Sequence, residues 1–267
     1  MSVFTLAATT PASLSNTRVI QSAQETIATT QRNIATASNN IITSQADIAT
    51  TQRNSWKAGD IINSNDMQRL GADRFFSIHA IDDSLFARMY GKSYKADCTT
   101  RREELRYVRV AHYNGNGEMQ CGELVCHESV AESLKHIFRQ LFEAHYQIER
   151  MVLIDNYDAD DLLSMEANNS SCFNFRRIAG SHRLSNHSYG TAIDINPLYN
   201  PMVKRRKDGS LAVSPKKGRP YADRTRQFKY KIDSNDLACR LFKKHGFVWG
   251  GDYRSLKDYQ HFEKKTQ

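Results

Sequence analysis

A chain of 267 residues that is 40% hydrophobic and 25% charged has the composition of a water-soluble protein, with room for one sizeable core and an appendage. It contains no uninterrupted apolar run of about 18 residues, so the sequence offers no membrane-spanning helix. The net charge of +8 and pI near 9.2 favour anionic partners, whether nucleic acid, acidic cell-wall polymer or a phospholipid surface. The five cysteines, Cys98, Cys121, Cys126, Cys172 and Cys239, are odd in number and include no Cys-x-x-Cys pair, which suits a reducing compartment better than a disulfide scaffold.

Residues 1–17 read as a leader. Met1 to Pro11 carries no early Lys or Arg, and Thr and Pro interrupt it before an apolar stretch of signal-peptide length forms, so no classical secretory signal is expected. From 18 to 54, Ile20, Ile27, Ile34, Ile41 and Ile48 recur every seven residues, and the phrase Ile-Ala-Thr-Thr-Gln-Arg-Asn occurs at 27–33 and again at 48–54. With Ile at the a positions of a heptad, the d positions are Ala23, Thr30, Ala37, Ser44 and Thr51. These are small or polar, so one helix buries little alone and the segment predicts a coiled coil that makes a homo-oligomer of open number. The competing reading is a polar leader that becomes helical only in company. Residues 55–72 then read as a linker, and a compact domain is expected over 73–267.

Within that domain, Leu105–Tyr113 alternates as a strand, Asn114-Gly115-Asn116-Gly117 signals a turn, and Gly122–His127 returns as the partner. Glu128–Tyr146 has helical spacing through Val130, Leu134, Phe138, Leu141 and Phe142. Met151–Ile154 reads as a buried strand, and Cys172–Ile178, after the turn at Asn168–Ser171, as another. Asn235–His245 predicts a helix ended by Gly246. Strands and helices mix without a regular βαβ alternation, which makes the fold class α+β.

Much of the positive charge lies between Val203 and Lys231, where Lys204, Arg205, Arg206, Lys207, Lys216, Lys217, Arg219, Arg224, Arg226, Lys229 and Lys231 face only Asp208 and Asp223. This reads as a solvated insertion loop, or alternatively as a surface for acidic wall polymer or substrate carboxylates. The chain carries no recognisable nucleic-acid module.

Two stretches concentrate chemistry: Ser185-Asn186-His187-Ser188-Tyr189-Gly190-Thr191-Ala192-Ile193-Asp194-Ile195-Asn196-Pro197 and Asp258-Tyr259-Gln260-His261-Phe262. Catalytic zinc usually takes three protein ligands and leaves a position for water. His187, Asp194 and His261 supply such a set, with Asp258 nearby to take a proton. Spacing alone is weak evidence for this. A seven-residue separation suits one face of a helix, whereas Gly190, Ile193 and Ile195 argue for a turn running into a strand.

At these residues the chain resembles the zinc D-alanyl-D-alanine carboxypeptidases and L-alanyl-D-glutamate endopeptidases of peptidoglycan, including VanY-like enzymes and phage endolysins. The motifs that carry the resemblance are Ser181 and Ser185, then His187-Ser188-Tyr189-Gly190-x-Ala192-Ile193-Asp194-Ile195-Asn196-Pro197 and Asn200-Pro201. Gly246-Phe247-x-Trp249-Gly250-Gly251 and Asp258-Tyr259-Gln260-His261-Phe262 follow. Upstream, Ser164-Met165, Asn168-Asn169 and Phe173-Asn174-x-Arg176 fit the same pattern, extending the resemblance over roughly 73–263 and leaving out the Ile heptads.

The resemblance implies a Hedgehog/D,D-peptidase-like domain whose central antiparallel sheet carries the metal. It makes His187, Asp194 and His261 ligands of Zn²⁺, Asp258 the catalytic base, and Arg176 the arginine that binds substrate or steadies the transition state, with Arg177 a neighbouring candidate. Phe175 stands where relatives often have Cys, and Tyr253 where they often have Trp. The implied substrate is a peptidoglycan stem peptide, cut either as a carboxypeptidase or as an endopeptidase. The implied setting is the cytoplasm of a bacterium, or a phage product carried on the virion or released by lysis. A different class, an oligomeric structural or wall-binding virion protein with a peptidase-like domain, also fits the heptads.

Overall fold

The computed structural model describes residues 11–53, 56–178 and 180–265. The chain divides into two compact units, Met1–Trp56 and Lys57–Gln267. Most of the leader, and with it the stretch bearing on a secretory signal, lies outside the described residues.

Among its described residues, the first unit holds one helix, α1 (Pro11–Arg53), 43 residues long. It begins before the expected heptad segment and takes in the end of the leader. A sequence this rich in threonine is a modest helix former, because β-branching restricts χ1 and hydroxyls compete for the backbone. Here the hydroxyls are satisfied within the helix itself: Thr26, Thr29, Thr30 and Thr36 each donate to the carbonyl four residues earlier, at 2.8 to 3.0 Å. Over 18–41, where the side chains are described, every residue is exposed. Ile20, Ile27, Ile34 and Ile41 therefore form a solvent-facing stripe, 57 to 61% accessible. Ile48, Ser44 and Thr51 lie where side chains are not described.

The second unit begins earlier than the expected boundary at Asp73. Gly59 N–H donates to Cys121 O (2.8 Å), Cys121 N–H to Asp60 O (2.9 Å) and Ile62 N–H to Met119 O (2.8 Å), while Ile62 is 2% exposed. Asn63 then caps helix α2 (Ser64–Leu70) by accepting from Asp66 N–H. The stretch expected as a linker over 55–72 is thus largely part of the compact unit. One buried isoleucine and a short run of backbone pairing anchor it.

Strands β1 (Ser77–Ala80), β2 (Leu105–Tyr113) and β3 (Met119–His127) form an antiparallel sheet. Helix α3 (Asp83–Met89) lies between the first two in sequence and is capped by the Asp82 side chain on Leu85 N–H. In β2 and β3, Leu105 faces His127 and Tyr113 faces Met119, so the turn sits where Asn114–Gly117 predicted it. Helix α4 (Glu128–Glu143) follows directly and buries Val130, Ala131, Leu134, Ile137, Phe138, Leu141 and Phe142. A second cluster, Leu85, Met89, Leu105, Val125, Leu153, Phe173 and Phe175, fills the space beside α3. Phe175 is therefore core.

Two expected strands are absent. Met151–Leu153 is buried, but Met151 O receives Glu123 N–H (3.0 Å), Val152 N–H goes to the Asn169 side chain (2.9 Å), and Ile154–Tyr157 is a 3-10 turn. Over 172–178, the amides of Phe173, Asn174 and Phe175 go to Val125, His187 and Ser93 respectively. With each of these amides sent to a different neighbour, Cys172–Phe175 is buried but joins no ladder, and only an isolated bridge, Arg177 with Leu184, forms at the exposed end. Helix α5 (Asp161–Glu166) lies between these two segments and is capped by Asp160.

The C-terminal part supplies β4 (Ala192–Asp194), β5 (Met202–Arg205), β6 (Leu211–Ser214), helix α6 (Leu237–Lys244), β7 (Val248–Trp249), β8 (Lys257–Asp258) and β9 (His261–Glu263). They make two further antiparallel sheets, β4-β9-β7 and β6-β5-β8, each of three strands. The α+β class stands. In place of one central sheet, the described strands form three small ones. Phe242 of α6 meets Phe138 of α4 edge-on at 6.3 Å and stacks on Phe262 of β9 at 4.3 Å. This aromatic column anchors β9 between the helices, leaving the residues on either side of Phe262 to face the other way.

Candidate active site

Antiparallel register places Asp194 of β4 directly across from His261 of β9. Facing residues share a side of the sheet, so a carboxylate and an imidazole converge. His187 reaches the same point from the 3-10 turn Asn186–Tyr189, whose first residues are held by the Ser185 hydroxyl. Gly190 ends that turn at φ +68°, and a Cβ there would lie 2.6 Å from His127 N and 3.0 Å from Cys126 C. Left-handed geometry and a tight approach to β3 both select glycine at this position. The sequence reading of a turn running into a strand is thus the observed arrangement.

His187 Nδ1 donates to Cys172 O at 2.6 Å, and a carbonyl can only accept, so the proton sits on Nδ1 and Nε2 is left for the site. That Nε2 lies 3.3 Å from His261 Nδ1 and 3.4 Å from Asp194 Oδ2, and His261 Nδ1 lies 3.0 Å from Asp194 Oδ1. One ligand atom from each of the three residues falls within 4.8 Å of the others, and both histidines are buried. Two nitrogens and one oxygen, with each imidazole held at its far nitrogen, fit a three-ligand metal centre of the zinc type.

The group that holds His261 at its far side was not singled out in the sequence. Glu263 Oε2 lies 3.2 Å from His261 Nε2 and also accepts from the Asn186 amide. Tyr253 donates its hydroxyl to the same carboxylate. The hydrogen bond from His261, helped by those from Tyr253 and Asn186, holds the Glu263 carboxyl down at about 2 despite its burial. Period-two alternation would have placed Glu263 on the His261 side of a strand. A strand of three residues shows no readable period.

Charges within the cluster are strongly interdependent. With no metal bound, both nitrogens of His187 can carry protons: burial opposes ionisation of Asp194, yet the charge of such a His187 and hydrogen bonds from both histidines hold it well below the carboxylate range. Burial likewise disfavours protonated His261, but Asp194 and Glu263 raise it to about 10. Asp258 behaves oppositely: burial first, and then the neighbouring Asp194 charge, push its carboxyl up to about 6. Its Oδ1 accepts from the Gln260 amide at 3.2 Å. Gly250 permits the chain to close over it, since a Cβ there would lie 2.4 Å from Asp258 O.

Arg176 and Arg177 separate clearly. Arg177 is exposed and turns back onto His182 O, whereas half-buried Arg176 is ion-paired with Asp161 of α5. Arg176 is further fixed through its backbone, which exchanges hydrogen bonds with the Ser188 hydroxyl at 2.9 and 2.7 Å. Its partners are thus Asp161 and the residue after His187, rather than the three clustered side chains themselves. Tyr189 is 41% exposed beside the cluster. Trp249 is buried and donates to Tyr259 O at 2.9 Å, which makes it a support for the terminal motif. Ser181 and Ser185 hold the loop by accepting from Arg183 N–H and His187 N–H.

Part of the basic stretch is likewise structural. Arg224 donates to Tyr199 O (2.9 Å), Asn200 Oδ1 (3.0 Å) and Ile232 O (2.6 Å), and its guanidinium lies 4.3 Å from the Tyr259 ring centre. Burial lowers its pKa to about 10. It braces the residue next to Asp258 rather than solvating a loop.

A buried cluster of two histidines and one carboxylate could hold a metal ion. A family model described as D-alanyl-D-alanine carboxypeptidase matches residues 179–264. The match supports membership of that peptidase family and, with it, a metallopeptidase. The matched segment contains His187, Asp194, Asp258 and His261; Arg176 and α1 lie outside it. No curated protein matches the chain, and no solved structure does.

Proposed function

We propose that this protein is a zinc-dependent peptidase of peptidoglycan stem peptides, with His187, Asp194 and His261 as metal ligands and Asp258 as general base. The observation that carries the reading is the convergence of three ligand atoms within 4.8 Å, inside the segment matched by the carboxypeptidase family model. Zinc bound to three protein ligands supplies a Lewis acid and brings the pKa of its water to about 7. Asp258, half-buried and with a raised pKa, is suited to accept a proton from the attacking water and return it to the leaving amine. Cys172 O and Glu263 hold the two imidazoles in the orientation that presents His187 Nε2 and His261 Nδ1. Arg176 is assigned to a substrate oxygen or carboxylate, for which a guanidinium fork is suited. Its pairing with Asp161 sets the guanidinium before substrate arrives.

The bond cut is either D-Ala–D-Ala at the end of the stem or L-Ala–D-Glu at its start, since the ligand set serves both. The exposed isoleucine stripe of α1 supports a further element of the reading: copies of the chain associate through heptads, and the resulting stalk carries the peptidase to the wall. Elemental analysis tests the assignments. His187→Ala and His261→Ala are expected to lose zinc and activity together, whereas Asp258→Ala keeps zinc and loses turnover. Full turnover by Asp258→Ala removes it as the base.

A further inference from the structure

The sheet that carries Asp258 also carries the hairpin β5–β6, and register links the two. Met202 faces Asp258 and Val203 faces Lys257 across β5 and β8. Side chains alternate along a strand, so Lys204 projects on the same face as Met202 and Asp258, with its Cα roughly 8 Å from that of Asp258. That face carries the Asp258 carboxylate, which accepts from the Gln260 side chain at 3.2 Å, and Gln260 O in turn accepts from Ile195 N–H, the residue after Asp194, at 3.0 Å. Lys204 is exposed.

Beyond Lys204 the hairpin continues through Arg205, Arg206 and Lys207, all exposed. Among the described residues, none of these four cations is in an ion pair. The one acid of the turn, Asp208, spends an oxygen on the Ser210 amide (2.9 Å) and hydroxyl (2.7 Å). Elsewhere in the basic stretch some cations are engaged: Lys217 pairs with Glu166 at 2.7 Å, Lys231 lies 3.7 Å from Asp233, and Arg224 is folded into the backbone around Asn200. Four exposed cations without an ion pair thus follow one another on one hairpin, pinned by Arg206 N–H to Ser210 O (2.8 Å) and by Gly209 at φ +82°. Holding several like charges together without acids costs self-repulsion that an anionic ligand relieves.

We propose that the β5–β6 hairpin is a docking arm for the acidic part of the substrate peptide, with Lys204 taking a substrate carboxylate beside Asp258. Arg205, Arg206 and Lys207 extend the same positive field away from the site. The inference rests on the peptidase reading and adds to it a specificity residue, Lys204, that selects for a free carboxylate at one place in the substrate. Lys204 acts as a specificity residue and takes no part in proton transfer.

The test uses the full chain, one stem peptide with free carboxylates, and the same peptide with those carboxylates converted to carboxamides. Binding and turnover are measured for the wild type, Lys204→Ala, Lys204→Glu and a control with the same change of charge on α6, Arg240→Glu. The wild type is expected to favour the acidic peptide by up to roughly fivefold in kcat/KM, about what one exposed charge pair supplies. Lys204→Ala should lose most of that preference through KM with kcat little changed, Lys204→Glu should reverse it, and Arg240→Glu should leave it intact. Equal losses on both peptides, or a loss confined to kcat, overturn the proposal. So does a Lys204 effect that appears only in retention on walls bearing phosphate polymers, since that outcome assigns the arm to a phosphodiester. If the wild type binds the acidic peptide in a Lys204-dependent way but cleaves neither peptide, the peptidase reading fails and the docking arm stands. Binding to neither peptide overturns both.

Discussion

At Asp258, desolvation and the nearby Asp194 charge raise the carboxyl from an ordinary 3.8 to about 6. A base with that pKa is largely ionised at neutral pH yet holds a proton well enough to hand it on. A bound dication would draw the value down, so the acid limb of kcat/KM is expected at or below pH 6. A limb well above 6 contradicts the assignment. The same shift has a stability consequence of definite sign. A carboxyl with a folded pKa above its unfolded value disfavours the folded state once ionised, so the cost is absent below about pH 4 and complete above about pH 6. In metal-free protein, Asp258→Asn should therefore be more stable than the wild type at pH 8, by on the order of 2 kcal/mol, and no more stable at pH 3.5. Thermal melts at the two pH values measure the difference.

Glu263 acts through His261. Replacing it with Gln keeps the shape but removes the charge that fixes the imidazole and raises its basicity. Zinc affinity is expected to fall about 10- to 100-fold, read by competition with a chelator, with the fold intact by circular dichroism. An unchanged affinity leaves Glu263 a purely structural partner of Asn186 and Tyr253. His187, Asp194, His261 and Asp258 stand out in sequence because they lie in two dense motifs. Glu263 does not, because its partner Asn186 is 77 positions away and its strand has only three residues.

At the scale of elements, local patterns were legible where periodicity was long. β2 runs over the predicted Leu105–Tyr113, and α4 and α6 present the predicted apolar faces. The pattern misleads at Met151–Leu153 and Cys172–Phe175, where burial is real but hydrogen bonds go singly to scattered neighbours. An apolar run records burial and not ladder pairing. The early start of the second unit was hidden for a similar reason, since Ile62 alone among polar residues carries its anchoring. For α1, the regular spacing and exposure of Ile20, Ile27, Ile34 and Ile41 make association of copies the expected use, as each buried isoleucine gains about 2 kcal/mol. Ile27→Asp with Ile34→Asp should shift the full chain to a smaller mass by light scattering while peptidase turnover on a soluble peptide is retained. A wild-type chain that is already monomeric at high concentration contradicts the stalk.

For the whole molecule, the site is assembled from pieces that are each too small to be stable alone. The His187 turn leans on β3 through Gly190, and β4 and β9 pair over three residues. The aromatic column from Phe138 through Phe242 to Phe262 then fixes β9 against the helices. Such packing gives a rigid frame for three converging ligands, the preorganisation that a hydrolytic centre needs. The three small sheets were not legible, because strands of two or three residues leave no signature and their partners are set by long-range packing. The most direct test of the central claim is mass spectrometry of a defined muropeptide incubated with the full-length protein, with chelator and with zinc restored. The account predicts one new product pair, marking either loss of D-Ala or separation after L-Ala, abolished by the chelator and recovered with zinc. An intact muropeptide in the zinc-loaded sample, or cleavage that survives complete removal of metal, contradicts it.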